Sequence, residues 1–144
     1  MSYASIYYHI IFAIKDRTAG LSEDQVKRTC EYLAGIIRNM KAKLYILNGV
    51  CDHFHMLVSL HPELSVSEFV RVIKTNSSRW FRDTFDNHFG WQDGYSVFSV
   101  SYSGVQPVTE YIRNQGEHHR TRTFKEELEL FFKKHNIRYD ERYI

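Results

Sequence analysis

Two histidines separated by one residue lie in the stretch Cys51-Asp52-His53-Phe54-His55-Met56-Leu57-Val58-Ser59-Leu60. In an extended strand, successive side chains point to opposite faces. His53, His55, Leu57 and Ser59 then share one face, and Phe54, Met56, Val58 and Leu60 share the other. The second set is wholly apolar and is the side expected to pack on helices. The first set offers two imidazoles side by side, each able to give a nitrogen lone pair to one cation. Taken alone, His-x-His is equally a strand with two polar residues on its wetter side. A second group of interest lies downstream in Val108-Thr109-Glu110-Tyr111-Ile112-Arg113-Asn114-Gln115. Tyr111 and Gln115 are four apart and therefore neighbours on one helix face. Alone, Tyr111 is a core-edge residue and Gln115 a solvated amide.

The elements that must hold these groups follow from periodicity. Ile6, Tyr8, Ile10, Phe12 and Ile14 alternate with Tyr7, His9, Ile11 and Ala13, which predicts a first strand. Ser22 and Gln25 form a capping box ahead of an amphipathic helix whose stripe is Val26, Cys30, Leu33, Ile37 and Met40. A second strand is expected from Lys43 to Val50, turning near Asn48-Gly49 or, as favoured, near Asp52 into the His53 strand. Ser65 and Glu68 suggest another capping box, opening a helix buried through Val66, Phe69, Val70, Ile73, Ser77, Trp80 and Phe81. Tyr95 to Tyr102 is the fourth strand. The order β-α-β-β-α-β predicts an α+β, ferredoxin-like antiparallel sheet with both helices on one face. The opposite face is expected to be free, carrying His53 and His55 with Tyr7 and His9.

Pro107 is expected at the start of the Tyr111 helix, with Gly116 loosening or ending it, and Thr123 with Glu126 capping a last helix. That helix has an apolar face of Phe124, Leu128, Phe131 and Phe132. Between the two lies His118-His119-Arg120-Thr121-Arg122, the most basic stretch of the chain. The two histidines are read as a loop contact to phosphate or as solvent-exposed in preference to ligands.

With 144 residues, 43% hydrophobic and 25% charged, the chain reads as one domain over 1–144 with room for a proper core. A net charge of +2 does not by itself demand a nucleic-acid partner, so any such claim rests on local clustering. Cys30 and Cys51 fall in apolar patterns without ligand spacing and are read as reduced core residues of a cytoplasmic protein. No stretch is apolar enough to span a membrane.

The constellation resembles the single-tyrosine HUH transposases of small hairpin-ended bacterial insertion sequences, to which the REP-associated tyrosine transposases are related. The ordered matches are Asn48-Gly49 with Asp52-His53-Phe54-His55, then Lys74-Thr75-Asn76-Ser77-Ser78-Arg79-Trp80, Trp91-Gln92-Asp93-Gly94-Tyr95 and Phe98-Ser99-Val100-Ser101. They continue with Glu110-Tyr111-Ile112-Arg113-Asn114-Gln115, His118-His119 and the tail Tyr139-Asp140-Glu141-Arg142-Tyr143. The resemblance implies metal-dependent cleavage and rejoining of single-stranded DNA at hairpin-bearing ends. Tyr111 would attack phosphorus and form a 5′-phosphotyrosine. His53, His55 and Gln115 would hold Mg²⁺ or Mn²⁺; zinc is less expected without a cysteine or a third histidine. Lys74, Arg79, Arg82, Arg120 and Arg122 are the candidates for DNA phosphate contact.

The helix bearing Tyr111 could fold back on its own sheet or reach a partner. The resemblance favours a homodimer with composite sites, Tyr111 and Gln115 of one subunit joining His53 and His55 of the other. The alternative of a different class is a catalytically silent single-strand-binding module, whose sheet aromatics would stack bases. A third reading, a phosphodiesterase using water as nucleophile, would make Tyr111 dispensable.

Overall fold

Period-two alternation becomes four strands: β1 (Tyr7–Ala13), β2 (Ala42–Gly49), β3 (His53–Leu60) and β4 (Ser96–Val100). They form one antiparallel sheet of order β2-β3-β1-β4, the order of a ferredoxin-like fold. The computed structural model describes residues 2–17, 19–85 and 88–144. β3 is central, pairing Ile11 with His55 and Ala13 with His53 on one side, and Asn48 with His55 on the other. At the start of β3, Gly49 lies opposite Phe54, and a Cβ there would sit 2.5 Å from the Phe54 ring. Only glycine admits that ring.

Helices α1 (Glu23–Arg38) and α2 (Val66–Thr84) cover the face bearing Phe54, Met56 and Val58. Ile10, Phe12, Leu33, Ile37, Phe69 and Ile73 fill the layer between. Ser22 caps α1 with the full reciprocal box to Gln25. Ser65 makes only half of one, accepting from the Glu68 amide, because the Glu68 carboxylate turns to Arg71 instead. Cys30 is half-buried against this core, whereas Cys51 is exposed, contrary to its apolar setting in the sequence.

The opposite face is not free. After a 3-10 turn at Tyr102–Gly104 come α3 (Val105–Arg113), α4 (Gln115–His118) and α5 (Phe124–Lys134). α3 lies on β2 and β3. α5 presses Phe124, Leu128 and Phe132 onto Ile11, Ala13 and Phe98, making a second small core. The apolar stripe of α5 needed a surface to bury, and the open side of the sheet supplies it. Pro107 is the third residue of α3, within its first turn, rather than its first. The break after α3 falls at Asn114, two residues before Gly116, which lies within α4.

Candidate active site

β3 brings His53 and His55 to the face roofed by α3, α4 and α5, and both are buried completely. Directly above them is Glu127 of α5, also buried. Its Oε1 is 3.2 Å from His53 Nε2, 3.0 Å from His55 Nε2 and 3.1 Å from His119 Nε2. Its Oε2 accepts from the Tyr111 hydroxyl and, at 3.2 Å, from Gln115 Nε2. One carboxylate thus joins the strand histidines to the helix residues.

Each ring is held from behind. His53 Nδ1 meets Asp52 Oδ1 at 2.7 Å, and His119 Nδ1 donates to the Arg122 carbonyl at 2.9 Å. A hydrogen on Nδ1 leaves the Nε2 lone pair of a neutral ring aimed into the cluster, the tautomer a metal ligand needs. His55 Nδ1 is paired with His9 Nε2 at 2.8 Å. Ligand atoms of His53, His55, His119 and Glu127 all lie within 4.8 Å of one another. The donor set therefore fits a divalent cation.

The electrostatics divide the histidines. Burial opposes charge on His53, but its hydrogen bonds to Asp52 and Glu127 outweigh that and raise its pKa. Burial lowers His55 to about 4 and His9 to about 3, in each case with help from neighbouring imidazoles. Burial also opposes charge on Glu127, yet His119, His53 and His55 hold it far below the ordinary carboxylate range. Burial and the hydrogen bond to Glu127 push Tyr111 above the usual phenol value. The phenol rests neutral.

Gln115 joins the cluster from α4, its Oε1 3.1 Å from His119 Nε2 rather than aimed at the strand pair. His119, read from sequence as a loop or solvent residue, is a third imidazole of the cluster, which removes the ground on which zinc was set aside. Its neighbour His118 stacks on the Tyr111 ring, centroids 4.3 Å apart and planes 20° from parallel. Glu127 was missed altogether. The available signal was a carboxylate inside an apolar stripe, three residues after Phe124 and four before Phe131. A buried charge there needs partners.

Asn48 of β2 fastens the end of α3 by donating to the carbonyls of Ile112 at 3.0 Å and Arg113 at 3.2 Å. Of the basic candidates, Lys74, Arg79 and Arg82 are on α2, across the sheet from the cluster. The Lys74 amine donates to the carbonyls of Gln92 at 2.8 Å and Gly94 at 2.5 Å, and Arg82 to that of Phe89 at 3.3 Å. Arg120 pairs with Glu117 at 3.5 Å, while Arg122 lines a cavity beside Tyr111. Among the described residues, no helix is long and apolar enough to cross a membrane.

Residues 2–115 match the family described as "Transposase IS200 like". The chain is 27% identical over 117 residues to the transposase for insertion sequence element IS200 of Salmonella typhimurium, covering 76% of each. It is 25% identical over 119 residues to the ISDra2 transposase TnpA of Deinococcus radiodurans, covering 75% of this chain and 82% of the relative. A crystal structure of a chain assigned as a Deinococcus radiodurans transposase superposes with a TM-score of 0.65 at 25% identity, over 80% of this chain and 95% of that one. A REP-associated tyrosine transposase bound to a REP hairpin shares the fold at a TM-score of 0.64 and 14% identity, over 83% of this chain and 74% of that one. The chain belongs to the IS200-like transposases, a family of HUH nucleases, and the cluster of His53, His55, His119 and Glu127 is its candidate metal site.

Proposed function

We propose that this chain cuts and rejoins single-stranded DNA at hairpin-bearing element ends, with Tyr111 as nucleophile. The observation that carries the reading is the hydroxyl of Tyr111 meeting the histidine cluster through Glu127. Neither a silent binding module nor a water-using phosphodiesterase has a use for a phenol held there. The hairpin is taken from the family resemblance.

His53, His55, His119 and Glu127 would hold a divalent cation, which when bound polarises the scissile phosphate and offsets charge building on its oxygens. Three imidazoles and one carboxylate suit Mn²⁺ or Zn²⁺ better than Mg²⁺, which prefers oxygen ligands. Tyr111 Oη attacks phosphorus, the bond to the 3′-oxygen breaks, and the 5′-phosphate is left on the tyrosine. The phenolic proton passes along the hydrogen bond to Glu127 and is returned to the departing 3′-oxygen. Because burial keeps the resting phenol protonated, that transfer belongs to the attack itself. A second 3′-hydroxyl reverses the step and rejoins strands, the covalent bond having conserved the phosphodiester energy.

The test is incubation with a labelled hairpin-bearing single strand and Mn²⁺, resolved on a denaturing gel. A protein–DNA adduct that vanishes in Tyr111→Phe is expected. Cleavage without adduct would point to water as nucleophile, and binding without cleavage to a silent module.

A further inference from the structure

Of the residues that would hold the cation, His53, His55 and Glu127 are at 0% exposure and His119 is half-buried, while Gln115 beside them is also at 0%. Tyr111 is only half-buried, and beside it lies a cavity of about 300 Å³ between α3 and α5. Val108 and Tyr111 line it from α3, Leu130 and Phe131 from α5, and His9 from β1 beneath. Pro107, the Glu127 carboxylate, Arg122 and Lys134 complete the lining. Among the described residues neither of the two cations is held in an ion pair, whereas Glu127 is already engaged by the histidines and Tyr111. Leu130 is 48% exposed, an uncovered apolar side chain at this cavity.

We infer that this groove takes one unstacked nucleotide of the single strand flanking the hairpin, its base against Val108, Leu130 and Phe131 and its phosphates on Arg122 and Lys134. The inference rests on the strand-cleaving reading above and adds the route by which the strand reaches Tyr111. The volume is at the lower end of small-molecule pockets, roughly 300–1,000 Å³, and suits one base rather than a stacked pair. Apolar and aromatic walls with flanking cations are how single strands are held, the rings taking bases and the cations the backbone. A purely apolar partner would use the walls but leave both cations idle. A strand uses all of them, and it places a phosphate beside the Tyr111 hydroxyl.

The experiment compares a blunt hairpin with the same hairpin carrying a single-stranded flank, both binding Tyr111→Phe so that nothing is cut. The flank is expected to tighten binding roughly tenfold or more, the range of one base on an aromatic surface. Adding Leu130→Asp or Lys134→Ala, both at exposed positions, should remove that gain while blunt-hairpin affinity stays the same. Thermal melts confirm that the variants fold. If the flank adds nothing, or both variants keep its contribution, the groove assignment is overturned and hairpin binding stands. If neither DNA binds, the DNA-cleaving reading falls and the groove assignment goes with it.

Discussion

At the scale of single residues, Glu127 is the group on which the others converge. Glu127→Gln keeps the shape but removes the charge and one acceptor. Adduct formation should fall by about 10²–10⁴, the usual contribution of a positioned proton acceptor. DNA binding should persist, and in NMR titration the pKa of His53 should drop toward its ordinary value, since Glu127 is one of the two carboxylates raising it. An unchanged His53 titration would deny the coupling. The pH dependence has two signs. A proton would compete with a bound cation for His53, whose pKa is raised. Adduct formation should therefore decline as pH falls through a midpoint above 6.5, and extra Mn²⁺ should move that midpoint downward. His55 and His9 are depressed to about 4 and about 3, so the unfolded chain takes up their protons first. In chelator, their contribution to stability is present above about 6.5 and is lost as pH falls toward 4. His53 has the opposite sign, stabilising below about 6.5 and losing that contribution as pH rises through its raised value. Two depressed rings against one raised ring should lower the melting temperature between pH 6.5 and 4.

At the scale of elements, the strands and their face assignment were legible because period-two alternation leaves little freedom once one face is apolar. The capping boxes at Ser22 and Thr123 were legible for a similar reason, since both partners are local. Where α5 docks was not, because its stripe of Phe124, Leu128 and Phe132 states that a face is buried without naming the surface that buries it. The free sheet face was lost on that account, and Glu127 and His119 with it. The end of α3 at Asn114 was also hidden, being fixed by a contact 64 residues away in sequence, Asn48 to the Ile112 carbonyl. Asn48→Ala removes that tether and is expected to cost about 1 kcal/mol of stability. Its larger effect should be on the chemical step, because a displaced α3 carries the Tyr111 hydroxyl with it, and small misplacements of a reacting group can cost about a hundredfold. Single-turnover adduct formation at saturating DNA measures this. A variant that loses affinity but keeps its single-turnover rate would assign Asn48 to DNA binding instead. Gly49→Ala acts on the same corner through packing. Its Cβ would meet the Phe54 ring at 2.5 Å, and about 1–3 kcal/mol of destabilisation is expected in denaturant melts.

For the whole molecule, the question is whether one chain completes its own site. The family resemblance favours exchange of the tyrosine helix between two subunits. Within this chain the 3-10 turn Tyr102–Gly104 brings α3 back onto β2 and β3, and Asn48 fastens its end there. Tyr111, Gln115, His119 and Glu127 of the described chain then gather over His53 and His55. Exchange would also have to lift the buried side of α3, where Ile112 is fully enclosed, and return it to an equivalent surface. Mixing His53→Ala with Tyr111→Phe separates the arrangements. In an exchanged dimer, one of the two sites in each mixed pair takes its histidines from the Phe variant and its tyrosine from the Ala variant. Half of random dimers are mixed, so activity would return to about a quarter of wild type. With the tyrosine in cis, every site lacks one essential group, whatever oligomer the chains form through other surfaces. In that arrangement the expected outcome is no adduct after co-refolding, with mixed oligomers or monomers confirmed by mass. Recovery near a quarter would instead establish that α3 crosses between subunits, and the contacts of Asn48 would then be made to the partner's helix.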